Sequence, residues 1–213
     1  MRRILHILLI TCLFNTIVIG ANKNVKGDFG PSHRVSRWTF GAEWSYIGTF
    51  HYNTWFNYFN TEGYRQDSTS EVFGYWNNAE ALLNVGYDFR PDWNLSLHAG
   101  VTSLADLHKA LPVSLRLTHF FCCDQMGDTW LAFADLGTGL SLKQEPQEIV
   151  TGKIGGGYRI SLSPDTKLDF IAALRLAYTH PQIIDGGDMI KLKWTNRNSA
   201  LLQSFSLGMA IIF

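Results

Sequence analysis

The chain has 213 residues, with 18 Lys and Arg against 18 Asp and Glu, and no basic run of the kind that grips nucleic acid. Aromatic residues make up 14% of it, and 19 Gly stand against 6 Pro, a balance that suits an all-β protein. Past the leading segment, no stretch approaches the roughly 20 apolar residues of a spanning helix, so a helical membrane protein is excluded.

Met1-Arg2-Arg3 is a short basic start, and Ile4 to Ile19 is an apolar run broken only by His6, Thr11, Cys12, Asn15 and Thr16. Small residues follow at Gly20 and Ala21, then polar Asn22-Lys23-Asn24. This order predicts a secretory signal peptide over 1–20, with cleavage after Gly20 or Ala21. The run is short for a membrane anchor, and Thr11 is a poor residue before a lipidated Cys12. Loss of Arg2 and Arg3 leaves 16 basic residues against 18 acidic ones, a net charge of −2. Of the three cysteines, the adjacent Cys122 and Cys123 remain. A bridge between neighbours needs a strained peptide, so free thiols in a turn are expected. Residues 21–37 read as a short polar tail.

From residue 38 onward the chain alternates with period 2, the mark of strands with two different environments. The first strand, Trp38–Tyr52, sets Trp38, Phe40, Ala42, Trp44, Tyr46, Gly48, Phe50 and Tyr52 against Thr39, Gly41, Glu43, Ser45, Ile47, Thr49 and His51. Asn53 to Trp76 reads as a long irregular loop. The second and third strands, Asn77–Arg90 and Trp93–Ser103, meet at a Pro91-Asp92 turn. A loop over Leu104–Ala110 leads to the fourth strand, Leu111–Phe121. The fifth, Trp130–Ser141, alternates least cleanly, because Leu131 and Phe133 fall on the face of Asp135, Gly137 and Gly139. A polar loop over Lys143–Glu148 precedes the sixth strand, Val150–Leu162. A Ser163–Thr166 turn precedes the seventh, Lys167–His180. Pro181–Ser199 is a loop with a short hairpin expected near Ile190–Trp194, within 183–196. The eighth strand is Ala200–Phe213. Its apolar face carries Phe205, Leu207, Met209, Ile211 and Phe213, and its small face Ser204, Ser206, Gly208 and Ala210.

Eight strands, short turns alternating with longer loops, and a closing strand that ends on an aromatic residue resemble the small outer-membrane β-barrels. The segments Leu111–Arg116 and Gly155–Leu162 look like a Bacteroidota-type branch of them. The fold expected is an all-β, eight-stranded, antiparallel up-and-down transmembrane barrel over 38–213. The resemblance implies a place in the outer membrane among lipid and lipopolysaccharide. It also implies that the barrel-assembly machinery reads Phe205, Leu207, Met209, Ile211 and Phe213. Aromatic girdles are expected from Trp38, Phe89, Trp93, Phe121, Trp130 and Phe213 at the periplasmic rim, and from Tyr52, Tyr75, Trp76 and Tyr178 at the other. A soluble barrel holding an apolar ligand would need the faces reversed, exposing an unbroken apolar belt to water.

The face opposite the belt carries Glu43, Glu80, Asp88, Asp135 and Asp169 with Arg90, Arg116, Lys153, Arg159 and Arg175, together with His98. In a lumen just wide enough for side chains, these charges must pair, which predicts an ion-pair plug and excludes a general pore. Glu43, His98, Arg116 and Asp135 are expected at similar depth. An enzyme that modifies lipid A is the alternative. Of its two barrel families, the palmitoyltransferase needs an apolar upper lumen, and the deacylase needs an outward His-x-Ser pair that His119 and His180 do not supply. Ser96 and His98, with Asp135 or Asp88 near, form the sharpest catalytic constellation. A narrow gated channel is the third reading. His180, Asp185 and Asp188 match no metal motif, and no cofactor is expected. The loop aromatics Trp55, Phe56, Tyr58, Phe59, Tyr64 and Trp76, interleaved with Asn, suit a contact surface for a partner such as another outer-membrane protein, or an aromatic collar.

Overall fold

The computed structural model describes residues 37–104, 108–121, 127–142, 148–181 and 183–213. The expected signal segment, the tail as far as residue 36 and the Cys122–Cys123 pair lie outside them. The strands are β1 (Trp38–Phe59), β2 (Arg65–Arg90), β3 (Trp93–Leu104), β4 (His108–Phe120), β5 (Thr129–Ser141), β6 (Glu148–Ser161), β7 (Lys167–Thr179), β8 (Ile184–Asp185), β9 (Asp188–Met189) and β10 (Thr195–Ile212). All but β8 and β9 form one closed antiparallel barrel in the order β1-β10-β7-β6-β5-β4-β3-β2. It has eight strands, as the alternation predicts. β8 and β9 pair only with each other, and the turn between them uses Gly186 and Gly187 at φ +59° and +93°, where a side chain would be strained. The expected hairpin therefore exists, but it centres on Asp185–Asp188 rather than on Ile190–Trp194.

The seam is formed by the first and last strands, with Gly41 opposite Ile212 and Ser45 opposite Gly208. Phe40 and Phe213 complete it by exchanging both backbone hydrogen bonds, at 3.0 and 2.7 Å. The outward set is the apolar one. Leu136, Ile154 and Leu174 are 74%, 72% and 67% exposed in the isolated chain, whereas Glu43 and Asp135 inside are 3% and 1%. A belt of that kind is tolerable only against hydrocarbon, and a closed barrel leaves no unpaired edge within it. At the lower rim, Trp38 packs edge-on to Tyr87 and Trp130 to Tyr158, while the Trp93 and His119 rings lie 4.6 Å apart. Near the upper rim, the Tyr46 and Tyr75 hydroxyls are 2.7 Å apart, and the Phe205 ring lies across Gly48, where any Cβ would collide with it.

Leu131 and Phe133 point inward, on the face of Asp135 where the alternation set them, and pack with Phe120, Ile171 and Ala173 into an apolar layer. A second layer closes the upper lumen: Leu104, Ala110, Ile149, Ala177, Ala200 and Leu202, all 0–2% exposed, with Tyr52 and Trp76 against them. Tyr52 and Trp76 are therefore not members of an outer aromatic collar. A bulge between Thr49 and His51 adds one residue to β1, which reverses the parity of everything above it and turns Tyr52 toward inward-facing Leu202. Leu104 and Ala110, expected in a loop, close β3 and β4 instead.

The largest correction is the segment expected as an irregular loop. β1 and β2 continue as a ladder from Thr49–Trp76 to Phe59–Arg65, and β10 accompanies β1 as far as Tyr58–Thr195. β3 leaves β2 at Glu80, and β7 leaves β10 at Ala200, so a three-stranded blade rises above the barrel. Asn60 makes its tip: the side-chain Oδ1 accepts from the Tyr64 and Glu62 amides, at 2.7 and 3.1 Å, and Gly63 takes φ +83°.

Candidate functional site in the lumen and the raised blade

Three charged tiers fill the lumen between and around the apolar layers. In the lowest, Arg159 grips Asp169 through two hydrogen bonds of 2.7 Å and lies 4.3 Å from the Phe120 ring centre. In the middle tier, Arg116 bridges two carboxylates. Its Nη1 donates to Glu43 at 2.6 Å, and its Nη2 donates to Asp135 at 3.1 Å, with the guanidinium over Phe133. The upper tier joins Lys153 to Glu80, and Arg175 to Thr102 at 3.1 Å and to Glu80 at 3.7 Å. Each of these buried charges has an opposite charge within reach, the arrangement that makes charges tolerable away from water.

Of the lumen residues expected from sequence, Arg90 lies elsewhere. A register shift between Asp88 and Arg90 carries it past the end of the alternation to the exposed lower turn. Asp88 sits half-buried at the lower mouth, where Asn94 donates to it at 2.7 Å. Lys167 is a buried cation that the sequence reading missed. As the first residue after a turn it looked like a solvated end, and only its inward parity with Asp169 marked it.

Ser96, His98 and Glu43 stand in the order nucleophile, base, acid. Ser96 Oγ is 3.0 Å from His98 Nε2, and His98 Nδ1 is 3.8 Å from Glu43. The acid beside His98 is thus neither Asp135 nor Asp88. Glu43 is already bound by both terminal nitrogens of Arg116, and His98 Nδ1 has no hydrogen bond. The cavity they line with Asn84 has about 40 Å³, room for roughly three waters and no acyl chain. The geometry suits hydrogen bonding to water. Among the described residues, no group of three His, Cys, Asp or Glu has metal-binding geometry. Asp185 accepts instead from the Thr61 amide at 3.4 Å.

One apolar layer flanks the cavity between the lower two tiers and the other caps the upper tier, so an ion crossing the barrel would have to part that cap. The wild-type barrel is expected to give no steady unit conductance in planar bilayers. Reproducible steps above the leak of protein-free bilayers would show that the tiers part.

The blade carries the loop residues. Phe59 and Tyr64 are exposed near its tip, while Trp55, Phe56 and Tyr58 lie less exposed along β1. Arg197 of β10 lies 5.5 Å from the Trp55 ring, His51 stacks on Phe73 at 4.5 Å and bonds Glu71 at 2.8 Å, and Arg65 donates to Asn57. Trp76, packed in the upper lumen, is not part of this surface. On the outer side of the seam, Leu207, Met209, Ile211 and Phe213 face the belt, with Phe205 above them.

No protein-family model matches the chain, and no curated protein sequence matches it. Among solved structures, Neisserial surface protein A superposes with a TM-score of 0.52 at 12% identity, over 83% of this chain and 96% of that one. The N-terminal β-barrel domain of Pseudomonas aeruginosa OprF gives 0.39 at 16% identity, over 81% of this chain and 97% of that one. Ail, the attachment invasion locus protein of Yersinia pestis, gives 0.32 at 16% identity, over 81% and 99%. Fold and belt together define a small eight-stranded β-barrel of the outer-membrane class.

Proposed function

We propose that this barrel works at the cell surface as an interaction protein or accessory subunit, through the blade, with its lumen closed. The observation that carries the reading is where the extra strand length lies. β1 has 22 residues and β2 has 26, against 12 to 14 in β3–β7, and all the excess rises above one rim. A strand of ~9–11 residues already spans a bilayer, so the surplus is there for something outside it. The rim with Trp38 and Phe213 is then periplasmic and the blade extracellular. In the same reading, lipopolysaccharide surrounds the upper belt, and the outward residues from Phe205 to Phe213 address the barrel-assembly machinery. Leu111–Arg116 and Gly155–Leu162 support a Bacteroidota-type branch.

The test is mild-detergent affinity purification of the tagged protein from outer membranes, with and without the blade. Joining Thr54 to Ser70 by a short turn removes it while leaving Tyr52 and Trp76 in the lumen. A stoichiometric partner is expected with the intact chain and lost with the shortened one. A second copy of the chain counts as a partner and is detected by a different tag. Recovery of no partner, or of the same partner from both chains, would overturn the reading.

A further inference from the structure

Above the barrel, β2 has a free edge. From Arg65 to Ala79 no described strand pairs with its outer side, since pairing with β3 begins at Glu80. Residues 65–75 are all exposed, and the run RQDSTSEVF contains no proline or lysine. An edge of this length is a template for another strand. Resting on the surface-interaction reading, we propose that its occupant is a second copy of this chain, paired antiparallel about Ser68, with its barrel in a facing membrane.

The register follows from symmetry and charge. In an antiparallel ladder, opposed pairs alternate between two hydrogen-bonding types, so a two-fold axis must pass through a pair of identical residues. Centres at Arg65, Asp67 and Glu71 oppose a charge to itself, and a centre at Thr69 sets Asp67 against Glu71. Centres at Ser70, Val72 and Phe73 bring no charges together. Centres at Gln66 and Ser68 both oppose opposite charges. The first, however, draws the Asn60–Tyr64 turn, with Gly63 at φ +83°, into what must be extended chain. Ser68 remains. It sets Arg65 against Glu71 twice, a favourable opposite-charge pair, while Gln66 against Ser70 and Asp67 against Thr69 oppose no like charges.

The membrane follows from direction. β2 descends into its barrel, so a copy in the same membrane also presents a descending edge and meets this one parallel. Antiparallel pairing inverts the copy. Ser68 lies eight residues above Trp76, roughly 26 Å of strand, so roughly 50 Å of strand separates the two barrels.

The experiment uses full-length barrels in lipid vesicles, with aggregation read by light scattering. Wild-type vesicles are expected to aggregate. Arg65→Glu vesicles and Glu71→Arg vesicles are each expected to lose at least nine-tenths of the signal. Mixing the two is expected to restore it. In the mixed pair, the introduced carboxylate of one chain faces the introduced guanidinium of the other, and the native Glu71 of the first faces the native Arg65 of the second. The mixture controls for any local damage, since neither variant changes between the arms. Dispersed wild-type vesicles, single variants that aggregate like wild type, or a mixture that stays dispersed would each overturn the proposal. A blade-dependent partner of other identity in the purification above would leave the broader reading standing even then.

Discussion

Arg116→Ala is expected to be the most damaging single change in the lumen, costing about 3–5 kcal/mol of unfolding free energy in detergent or lipid. The guanidinium is the bridge between Glu43 and Asp135, which are 3% and 1% exposed, and both carboxylates lose it at once. Attraction between the partners matters less here than the cost of leaving two buried charges unanswered. Neutralising all three together, as Glu43→Gln, Arg116→Met and Asp135→Asn, should therefore recover most of the loss. Urea unfolding followed by tryptophan fluorescence measures both chains. A cost below about 1 kcal/mol for Arg116→Ala, or a triple variant no better than the single, would show that the tier is not held by charge balance.

Leu136→Arg is expected to destabilise the barrel by about 2–4 kcal/mol in bilayers. Leu136 lies midway along β5, outward, 74% exposed, with Leu115 opposite it on β4 and Ile154 and Leu174 also on the belt. On a soluble barrel the same change would place a charge in water and cost almost nothing. The comparison is with Leu140→Arg, nearer the upper rim of the same strand, where the penalty should fall toward about 0–1 kcal/mol. Equal, small costs at both depths would mean that the apolar face does not meet hydrocarbon.

The barrel was legible because a membrane strand has two unlike faces along its whole crossing, so parity alone separates Glu43 from Trp44 and Asp135 from Leu136. The neighbourhood of Glu43, His98, Arg116 and Asp135 followed from counting residues up from the lower rim. Legibility stopped where parity stopped meaning anything. In the blade both faces meet water, so Asn53 to Phe59 shows no apolar side, and only Asn60-Thr61-Glu62-Gly63 carried a turn signal. Tyr52 was misplaced by a bulge that leaves no mark in composition. Leu131 and Phe133 broke the pattern because an apolar layer inside the lumen needs large side chains on the inward face.

The seam between β1 and β10 also governs the order of assembly. Gly41 cannot meet Ile212 until the roughly 170 residues between them have been made and arranged, a contact of very long range in sequence. Glu43 and Arg116, 73 residues apart, face each other across the lumen, so their bond forms only when the sheet curls shut. Before that moment the charged face lies open and hydrated. Drying of the interior and closure of the cylinder are thus one event.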